Sequence, residues 1–485
     1  MYFVIILLSL ALTSCMVGPN FHTPKAPPTE RYTKHPLPKK TVATPSMGSA
    51  GKSQYFTTEQ NIPQDWWTIF HSSPLNALIV SGLANSPNLT AARASLQQAA
   101  ENYNAQVGNL LYPQITSNLS GTRTRINPVQ FGTLSSPSVF DLYNASASVT
   151  YLLDIFGGSR RQLEALCAQV HYEWFQLQGA QLTLTSNIVT TAITIASIQE
   201  QIKATLDLIQ AQASQLSLTE KQFFLGGVSK ADVLSQQSQL AQTRATLPPL
   251  KQLLAQNLHA LATLIGRTPS LSELPVFELN KFTLPTTLPV TLPSSFVRQR
   301  PDIRASEALL HAANAQIGVA TANLYPQVRL SAGYGWEDSV LSNLFQNKSS
   351  VWNYGGALAQ PIFNGGALRA QRRAAIAARD LAAAQYCQTV LLAFQNVADT
   401  LRALEHDAQE LQAQRAAEVS AKESLDLTRN QYRLGSVNYI NLLIAERTYQ
   451  QARINRIRSQ AARYVDTAAL FQALGGGWWS RRENG

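Results

Sequence analysis

The segment DLYNASASVTYLLDIFGGSRRQLEALCAQV (residues 141–170) contains a change in the period of its apolar side chains. Up to Leu153, apolar or small residues alternate with polar ones, which predicts a strand with two unlike faces. After Gly158, apolar residues recur every three or four positions over roughly 70 residues, which predicts a helix about 105 Å long. The segment therefore predicts a strand that leads directly into a long helix.

The long helical segment carries the seven-residue periodicity of a coiled coil. One series consists of Ile188, Ile195, Ile202, Ile209 and Leu216, and the other of Leu177, Leu184, Thr191 and Ile198. The two series interleave in steps of three and four, as the a and d positions of a coiled coil do. Residues 390–411 repeat these steps in a second long helix. A strict seven-residue repeat predicts a left-handed supercoil.

The chain repeats its organisation once. Two pairs of segments match in the same order: LYPQ at 111–114 with 324–327, and LGGV at 225–228 with LGSV at 434–437. We therefore predict a tandem duplication over residues 75–266 and 300–474, with an equatorial linker at 267–299 and a C-terminal tail at 475–485. Each repeat is predicted to hold a helix, two strands and a hairpin of long helices.

The predicted strands have the length and the alternation of transmembrane β-strands. They lie at 112–124, 140–155, 325–337 and 351–363. Four strands cannot enclose a lumen, and open strand edges cannot face lipid, so two or three chains must share one barrel. The polar inner face and the long helices favour three chains and twelve strands. A soluble β-sandwich is the alternative on the strand pattern alone.

The first residues are typical of an export signal. Residues 2–12 form an apolar stretch of eleven, too short to span a bilayer. Leu12-Thr13-Ser14-Cys15 follows and resembles the bacterial lipobox, although no basic residue precedes the apolar stretch. We predict a signal peptide at 1–14, lipidation of Cys15 and an extended tether over 15–74, with a chance cysteine as the alternative. Met16, in place of the aspartate that retains lipoproteins at the inner membrane, favours the outer membrane.

The composition excludes several classes of protein. Charged residues make up 14%, the mean hydropathy is −0.09 and the net charge is +10. The low charge argues against disorder, and no apolar run is long enough for a transmembrane helix. The seven histidines are scattered, and the sequence has neither zinc-ligand spacing nor a nucleophile or phosphate-binding motif. We therefore predict no enzyme, no metal site, no cofactor and, since no basic run is interleaved with aromatic residues, no nucleic-acid partner.

Three further segments complete a set of motifs: CMVGPNF (15–21), DWWTIF (65–70) and RPDIRASE (300–307). With the Tyr-Pro-Gln segments and the Leu-Gly turns, they resemble the TolC-like outer-membrane efflux proteins in their lipoprotein form, the NodT-type outer-membrane factors. The resemblance implies a mixed α+β fold and a homotrimer, with a twelve-strand barrel in the outer membrane of a Gram-negative bacterium. It implies an α-helical tunnel through the periplasm, a periplasmic adaptor and an inner-membrane RND-type transporter as partners.

On this resemblance we expect a passive exit duct for drugs and other small amphiphiles. The lipobox and the start of the mature chain resemble the drug-efflux branch of the family. The exit duct of a type I protein-secretion system is the first alternative, because it shares the fold and differs in cargo. An enzyme or a soluble coiled-coil scaffold is the second alternative.

The resemblance places adaptor docking and closure of the duct at the two helix turns. The turn residues are Gly226, Gly227, Val228, Gly435, Ser436 and Val437. By position from the turn glycine, Asp232 and Tyr432 match two residues of the polar link that closes such ducts. As the alternative, Asp232 is a helix-start carboxylate that interacts with the helix dipole, worth ~0.3–1 kcal/mol.

The sequence also departs from the family pattern near the turns. Val437 stands in place of the basic partner of the polar link. Asn441 and Ile444 stand in place of acidic residues of the lumen. A closed state therefore has to depend on fewer charges, or on Arg433 or Lys230 as substitute partners.

Overall fold

The fold is that of a computed structural model, which describes residues 16–29, 31–58, 62–127, 132, 136–271, 273–291 and 293–480. These residues divide between two compact units. The first unit contains residues up to 24, 95–174 and 305–387. The second unit contains 25–94, 175–304 and the residues from 388 onwards.

Helices make up most of the second unit, while the first unit combines helices with four strands. The helices are α1 (Ser73–Asn85), α2 (Pro87–Leu111), α3 (Gly158–Phe224), α4 (Lys230–Ala245), α5 (Leu247–Leu264), α6 (Pro293–Phe296), α7 (Pro301–Ala322), α8 (Ala367–Arg433) and α9 (Tyr439–Ala473). The strands are β1 (Tyr55–Thr58), β2 (Gln114–Ile126), β3 (Ser138–Leu153), β4 (Thr287–Val290), β5 (Gln327–Asp338) and β6 (Ser350–Ala359). Among the described residues, no helix is both long enough and apolar enough to cross a bilayer.

Helices α3 and α8 have 67 residues each, which corresponds to roughly 100 Å of helix. In α8 the predicted seam is buried at Val397, Leu401 and Leu411. In α3, apart from the half-buried Thr191, the predicted seam is buried as far as Ile198. Beyond it, the predicted apolar positions from Ile202 onwards are half-buried, and a neighbouring polar row is fully buried instead. That row consists of Gln201, Thr205, Gln212 and Thr219.

The first unit contains a four-stranded antiparallel sheet in the order β2-β3-β5-β6. Its strands lie within a few residues of the predicted ranges. Ala145 of β3 stands opposite Trp336 of β5, and close approach of the strands requires Gly335, where a Cβ would lie 2.5 Å from the Ala145 carbonyl oxygen. Strands β2 and β6 each have one unpaired edge among the described strands of this sheet. Each of these edges leaves a row of backbone groups without a strand partner.

The described part of the predicted N-terminal tether is held by buried arginines. In the first unit, Arg161 of α3 donates to the carbonyl oxygen of Val17 (3.2 Å) and to Asn20 Oδ1 (2.7 Å). Gly18 has a φ of +90°, and a Cβ at this position would lie 2.5 Å from the Gly318 Cα. Only glycine fits both this backbone conformation and this contact. The segment 16–21, which was predicted to be part of an extended tether, is therefore fixed to α3 and α7.

In the second unit, Arg463 of α9 holds the residues that precede β1. Its guanidinium donates to the carbonyl oxygens of Ala50 and Lys52 and to Gln54 Oε1. Strand β1 then pairs in parallel with β4, within the region predicted as an equatorial linker. The region 15–74 thus includes a strand, a 3-10 helix at Trp66–Phe70 and the start of α1, in addition to extended chain.

The described residues of the C-terminal tail, 475–480, also pack in the second unit. Trp478 Nε1 donates to the Gln299 carbonyl oxygen at 2.6 Å, and its ring packs edge to face on Phe175. Gly476 lies against Leu182 with a positive φ of 69°. The three glycines that follow α9 are therefore enclosed by other parts of the unit rather than free.

Candidate functional site at the helix turns

The first turn joins α3 to α4 and closes α3 with glycine. Gly226 has a φ of +76°, a conformation that favours glycine, and its N–H donates to the Phe223 carbonyl oxygen at 3.0 Å. The Gly227 N–H donates to the Gln222 carbonyl oxygen at 2.7 Å. These two bonds satisfy carbonyl groups that the end of the helix leaves without intrahelical donors. The predicted turn residues thus have a definite structural role here.

The second turn joins α8 to α9 with the same construction. Gly435 has a φ of +72°, and the Ser436 N–H donates to the Gln431 carbonyl oxygen at 3.0 Å. Val228 and Val437 occupy equivalent positions, and both are half-buried. Each turn also exposes large apolar side chains to solvent. They are Phe224, Leu225 (82% exposed) and Leu434 (83% exposed).

Asp232 forms a capping box at the start of α4. Its carboxylate accepts hydrogen bonds from the Ser229 N–H (3.0 Å) and from the Ser229 hydroxyl (2.7 Å). The Asp232 N–H in turn donates to Ser229 Oγ at 3.2 Å. This arrangement satisfies free donors at the helix start. These hydrogen bonds are the ones expected if Asp232 is a helix-start carboxylate, which is the alternative to a role in the gate.

Tyr432, near the end of α8, lies close enough to Asp232 for the charge of the carboxylate to affect its pKa. Burial and the Asp232 carboxylate both raise the pKa of Tyr432, and a hydrogen bond with the Thr219 side chain opposes this rise. The Tyr432 ring also packs edge to face on Tyr439, with centroids 5.9 Å apart. Within the described residues, Asp232 and Tyr432 share no hydrogen bond. The two candidate gate residues are thus coupled by charge rather than by a direct bond.

Among the described residues, neither proposed substitute cation forms an ion pair with Asp232. Lys230 Nζ lies over the Phe223 ring, 5.4 Å from its centroid. Arg433 is the last residue of α8 and has no ion pair among the described residues. Asn441 donates its N–H to Asn438 Oδ1 and so belongs to the cap of α9, while Ile444 is exposed.

A buried polar layer lies where α3, α4, α8 and α9 meet, and the sequence analysis did not predict it. We define the polar layer as Gln212, Gln236, Arg429, Tyr439 and Glu446. Its most buried side chains are Gln212 (0% exposed), Gln236 (1% exposed) and Glu446 (3% exposed). Arg429 Nη2 lies 3.3 Å from Glu446 Oε1, and Gln236 Nε2 donates to the Gln212 carbonyl oxygen at 3.3 Å. The signal for it was present in α9, where Glu446 follows Tyr439 by seven residues on the buried face.

A pair of carboxyl groups lies elsewhere in the second unit. Burial, a hydrogen bond with the Asp466 carboxyl and its charge raise the pKa of Asp407 to about 8. The guanidinium of Arg463 partly offsets this rise. The predicted lipidation site, Cys15, lies outside the described residues. Among the described residues no group of histidine, cysteine, aspartate and glutamate side chains is arranged to hold a metal ion.

Comparison with known proteins decides the family. The family model described as "Outer membrane efflux protein" matches residues 78–267 and 292–476, which include both hairpins and their turns. The chain belongs to the outer membrane efflux protein family. The predicted resemblance and the predicted outer-membrane location in a Gram-negative bacterium are thereby confirmed. The family consists of channel proteins, so the prediction that the chain is not an enzyme is also confirmed.

Relatives and solved structures match over nearly the whole chain. The toluene efflux pump outer membrane protein TtgC of Pseudomonas putida is 27% identical over 98% of this chain and 96% of its own length. The pyoverdine export outer membrane protein OpmQ of Pseudomonas putida is 30% identical over 90% of this chain and 94% of its own length. The structure of the outer-membrane channel OprN superimposes with a TM-score of 0.85 at 28% identity, covering 96% of this chain and 100% of that one.

Proposed function

We propose that the protein is the outer-membrane exit duct of a tripartite efflux pump. It conducts small amphiphiles passively from a periplasmic adaptor and an inner-membrane RND-type transporter to the outside. The observation that supports this most is the full-length similarity to outer-membrane components of efflux and export pumps. One such relative is named for toluene and another for pyoverdine, so the family scaffold serves chemically different cargo. The exit duct of a type I secretion system is the alternative.

Deletion of the gene separates these two functions. Loss of an efflux duct is expected to increase sensitivity to several unrelated amphiphilic compounds at once, and the intact gene should restore resistance. Loss of a single secreted protein with unchanged drug sensitivity would favour the secretion duct and overturn the efflux proposal.

We infer that three chains assemble around one twelve-strand barrel. The support is the pair of unpaired edges on β2 and β6, since such edges cannot face lipid. Every residue of β2 from Gln114 to Arg125 is also exposed in the single chain. Native mass spectrometry of the detergent-extracted protein is expected to show a trimer. Cross-linking in a functional membrane that yields only monomers would contradict this assembly.

We propose that the turns form the periplasmic tip, where the adaptor docks and the duct closes. Exposed Phe224, Leu225 and Leu434 support docking, because apolar side chains in this number are costly to leave in water. Each long helix places its turn 67 residues of helix away from the strands that precede it. Replacing Leu225 and Leu434 by serine is expected to weaken adaptor binding and leave the trimer intact.

The role of Asp232 in closure can be separated from its role as a cap. Asp232→Asn and Tyr432→Phe are expected to raise the resting conductance of single channels in planar bilayers. Ser229→Ala is the matched control, because it weakens the cap and keeps the carboxylate near Tyr432. If Ser229→Ala changes conductance as much as Asp232→Asn does, or neither gate variant changes it, Asp232 is only a helix cap.

A further inference from the structure

We propose that the polar layer is a pH-sensitive contact between the two helix hairpins, in which Glu446 controls how firmly the hairpins pack near their turns. The proposal rests on the proposed duct function only for its conductance readout. It concerns Glu446 and its neighbours, which are distinct from Asp232 and Tyr432 of the candidate gate.

The polar layer joins side chains from the four helices that adjoin the two turns. Gln212 comes from α3, Gln236 from α4, Arg429 from α8, and Tyr439 and Glu446 from α9. Directly beside it is an apolar cluster formed by Leu425, Tyr439, Leu442 and Ala445.

The cluster and the Arg429–Glu446 ion pair lie within the second hairpin, and the Gln236–Gln212 bond lies within the first. Between the hairpins, Arg453 Nη2 of α9 lies 3.1 Å from Asp207 Oδ2 of α3, so α9 packs on α3 close to the polar layer. Separation of the hairpins would therefore expose Glu446 and Gln212 to water.

Several polar atoms of the layer are buried without a hydrogen bond. They are Glu446 Oε2, Tyr439 Oη, Gln236 Oε1, and Oε1 and Nε2 of Gln212. The Gln212 amide is close enough to Glu446 to favour its ionised form, but it makes no hydrogen bond of good geometry. Buried polar groups are normally satisfied, and leaving them unpaired costs free energy. The packed arrangement is thus poorly suited to a carboxylate with a full negative charge.

Arg429 is the one cation that faces Glu446 in the described structure, and it has a second partner. Its Nη1 lies 4.0 Å from Asp426 Oδ1 on the same helix, and its side chain is 35% exposed. It can therefore remain paired and hydrated when Glu446 is neutral. Tyr439 of α9 is affected by the charges of Glu446, Tyr432 of α8 and Asp232 of α4, while α3 contributes the uncharged Gln212.

The sign of the pH effect follows from burial. Burial raises the pKa of Glu446, and the opposing effects of Arg429 and Gln212 do not cancel it. When the hairpins separate and water reaches the carboxyl group, its pKa returns toward the ordinary value of glutamic acid. The packed form therefore binds the proton more tightly than the separated form does. Acid favours the packed form, and a rise in pH through the raised pKa favours separation.

The test compares wild-type trimers with Glu446→Gln in planar bilayers between about pH 4 and about pH 9, which spans the range from ordinary to buried glutamic acids. Wild-type open probability is expected to rise roughly three- to tenfold per pH unit where Glu446 ionises, since one proton is linked to opening. Glu446→Gln, which imitates the neutral acid, should keep the low open probability throughout. Glu423→Gln, at an exposed carboxylate of α8, is the matched control and should behave like the wild type.

A second variant and a second readout keep the proposal falsifiable. Arg429→Gln removes the cation that favours ionisation, so it should shift the midpoint of the transition to higher pH. Hydrogen exchange of residues 439–446, corrected for intrinsic rates, should show the same midpoint without any channel recording. Hydrogen exchange that depends on pH, in a protein that forms no conducting channel, would support the contact and reject the proposed duct function. A wild-type pH response that survives in Glu446→Gln, or no pH response in either readout, would overturn the proposal.

Discussion

Replacement of Arg463 by methionine tests how the N-terminal segment is attached to the second unit. The guanidinium is fully buried and donates to the carbonyl oxygens of Ala50 and Lys52 and to Gln54 Oε1. Methionine fills a similar volume of the buried site but cannot donate. The variant therefore leaves the Ala50 carbonyl oxygen and Gln54 Oε1 buried and unpaired without opening a large cavity.

The expected cost is local. Each stranded acceptor costs about 1–3 kcal/mol, and relief of the buried guanidinium charge offsets part of the total. Thr41 Oγ1 still accepts from the Gln54 N–H at 2.9 Å, so it is not stranded. We expect a net loss of about 2–4 kcal/mol for the segment, which corresponds to a roughly 30- to 700-fold increase in its opening.

Hydrogen exchange measures this opening directly. The probes are the N–H groups of Thr41 and Thr44, which donate to the carbonyl oxygens of Gln54 and Gly51 at 2.9 Å. Arg458→Met on the same helix is the matched control, because the exposed Arg458 donates only to Gln201 Oε1 among the residues that the structure describes. The control should change exchange less than about threefold. If Arg463→Met also remains within that limit, the arginine does not hold the segment and the reasoning is wrong.

Three further predictions address other parts of the chain. Gly18→Ala should lower the free energy of unfolding by about 2–4 kcal/mol and expose residues 17–21 to proteases, because this position combines a positive φ with a close contact. Gly48→Ala, which has open space around it, should lower the free energy of unfolding by about 1–2 kcal/mol. Thermal stability should decrease as the pH rises from about 4 to about 8, because Asp407 stays protonated to a higher pH in the native protein than in the unfolded chain. Asp407→Asn should flatten this profile. Cys15→Ala should abolish incorporation of labelled palmitate, and a mature wild-type chain that starts elsewhere would contradict the lipidation of Cys15.

The sequence predicted those elements whose residues differ clearly between their two faces. Strand β3 was predictable because small and apolar residues alternate with polar ones from Tyr143 to Leu153. The long helices were predictable because their apolar residues recur every seven positions. The turns were predictable because a positive φ at Gly226 and Gly435 favours a particular residue type.

The features that were missed depend on partners that periodicity does not reveal. In the later part of α3, the row from Ile202 is the more apolar one, yet packing buries the row that contains Gln212. The helices that surround α3 determine which row of its side chains is buried, and the sequence of α3 does not encode where those helices lie. The attachments made by Arg161 and Arg463 were missed because many of their acceptors are backbone carbonyl oxygens, which carry no sequence signal.

The attachment of the N-terminal segment also sets an order of events during synthesis and export. The bond from Arg463 to Ala50 joins residues 413 positions apart, so one partner is translated early and the other near the end. Closing so long a loop carries a large entropy cost and has to wait for α9. A chain interrupted before Arg463 would keep the bond from the Leu284 N–H to Ser49 Oγ but would lack the bonds from the guanidinium to residues 50–54. Full protection of this segment from proteases thus reports that synthesis has passed Arg463.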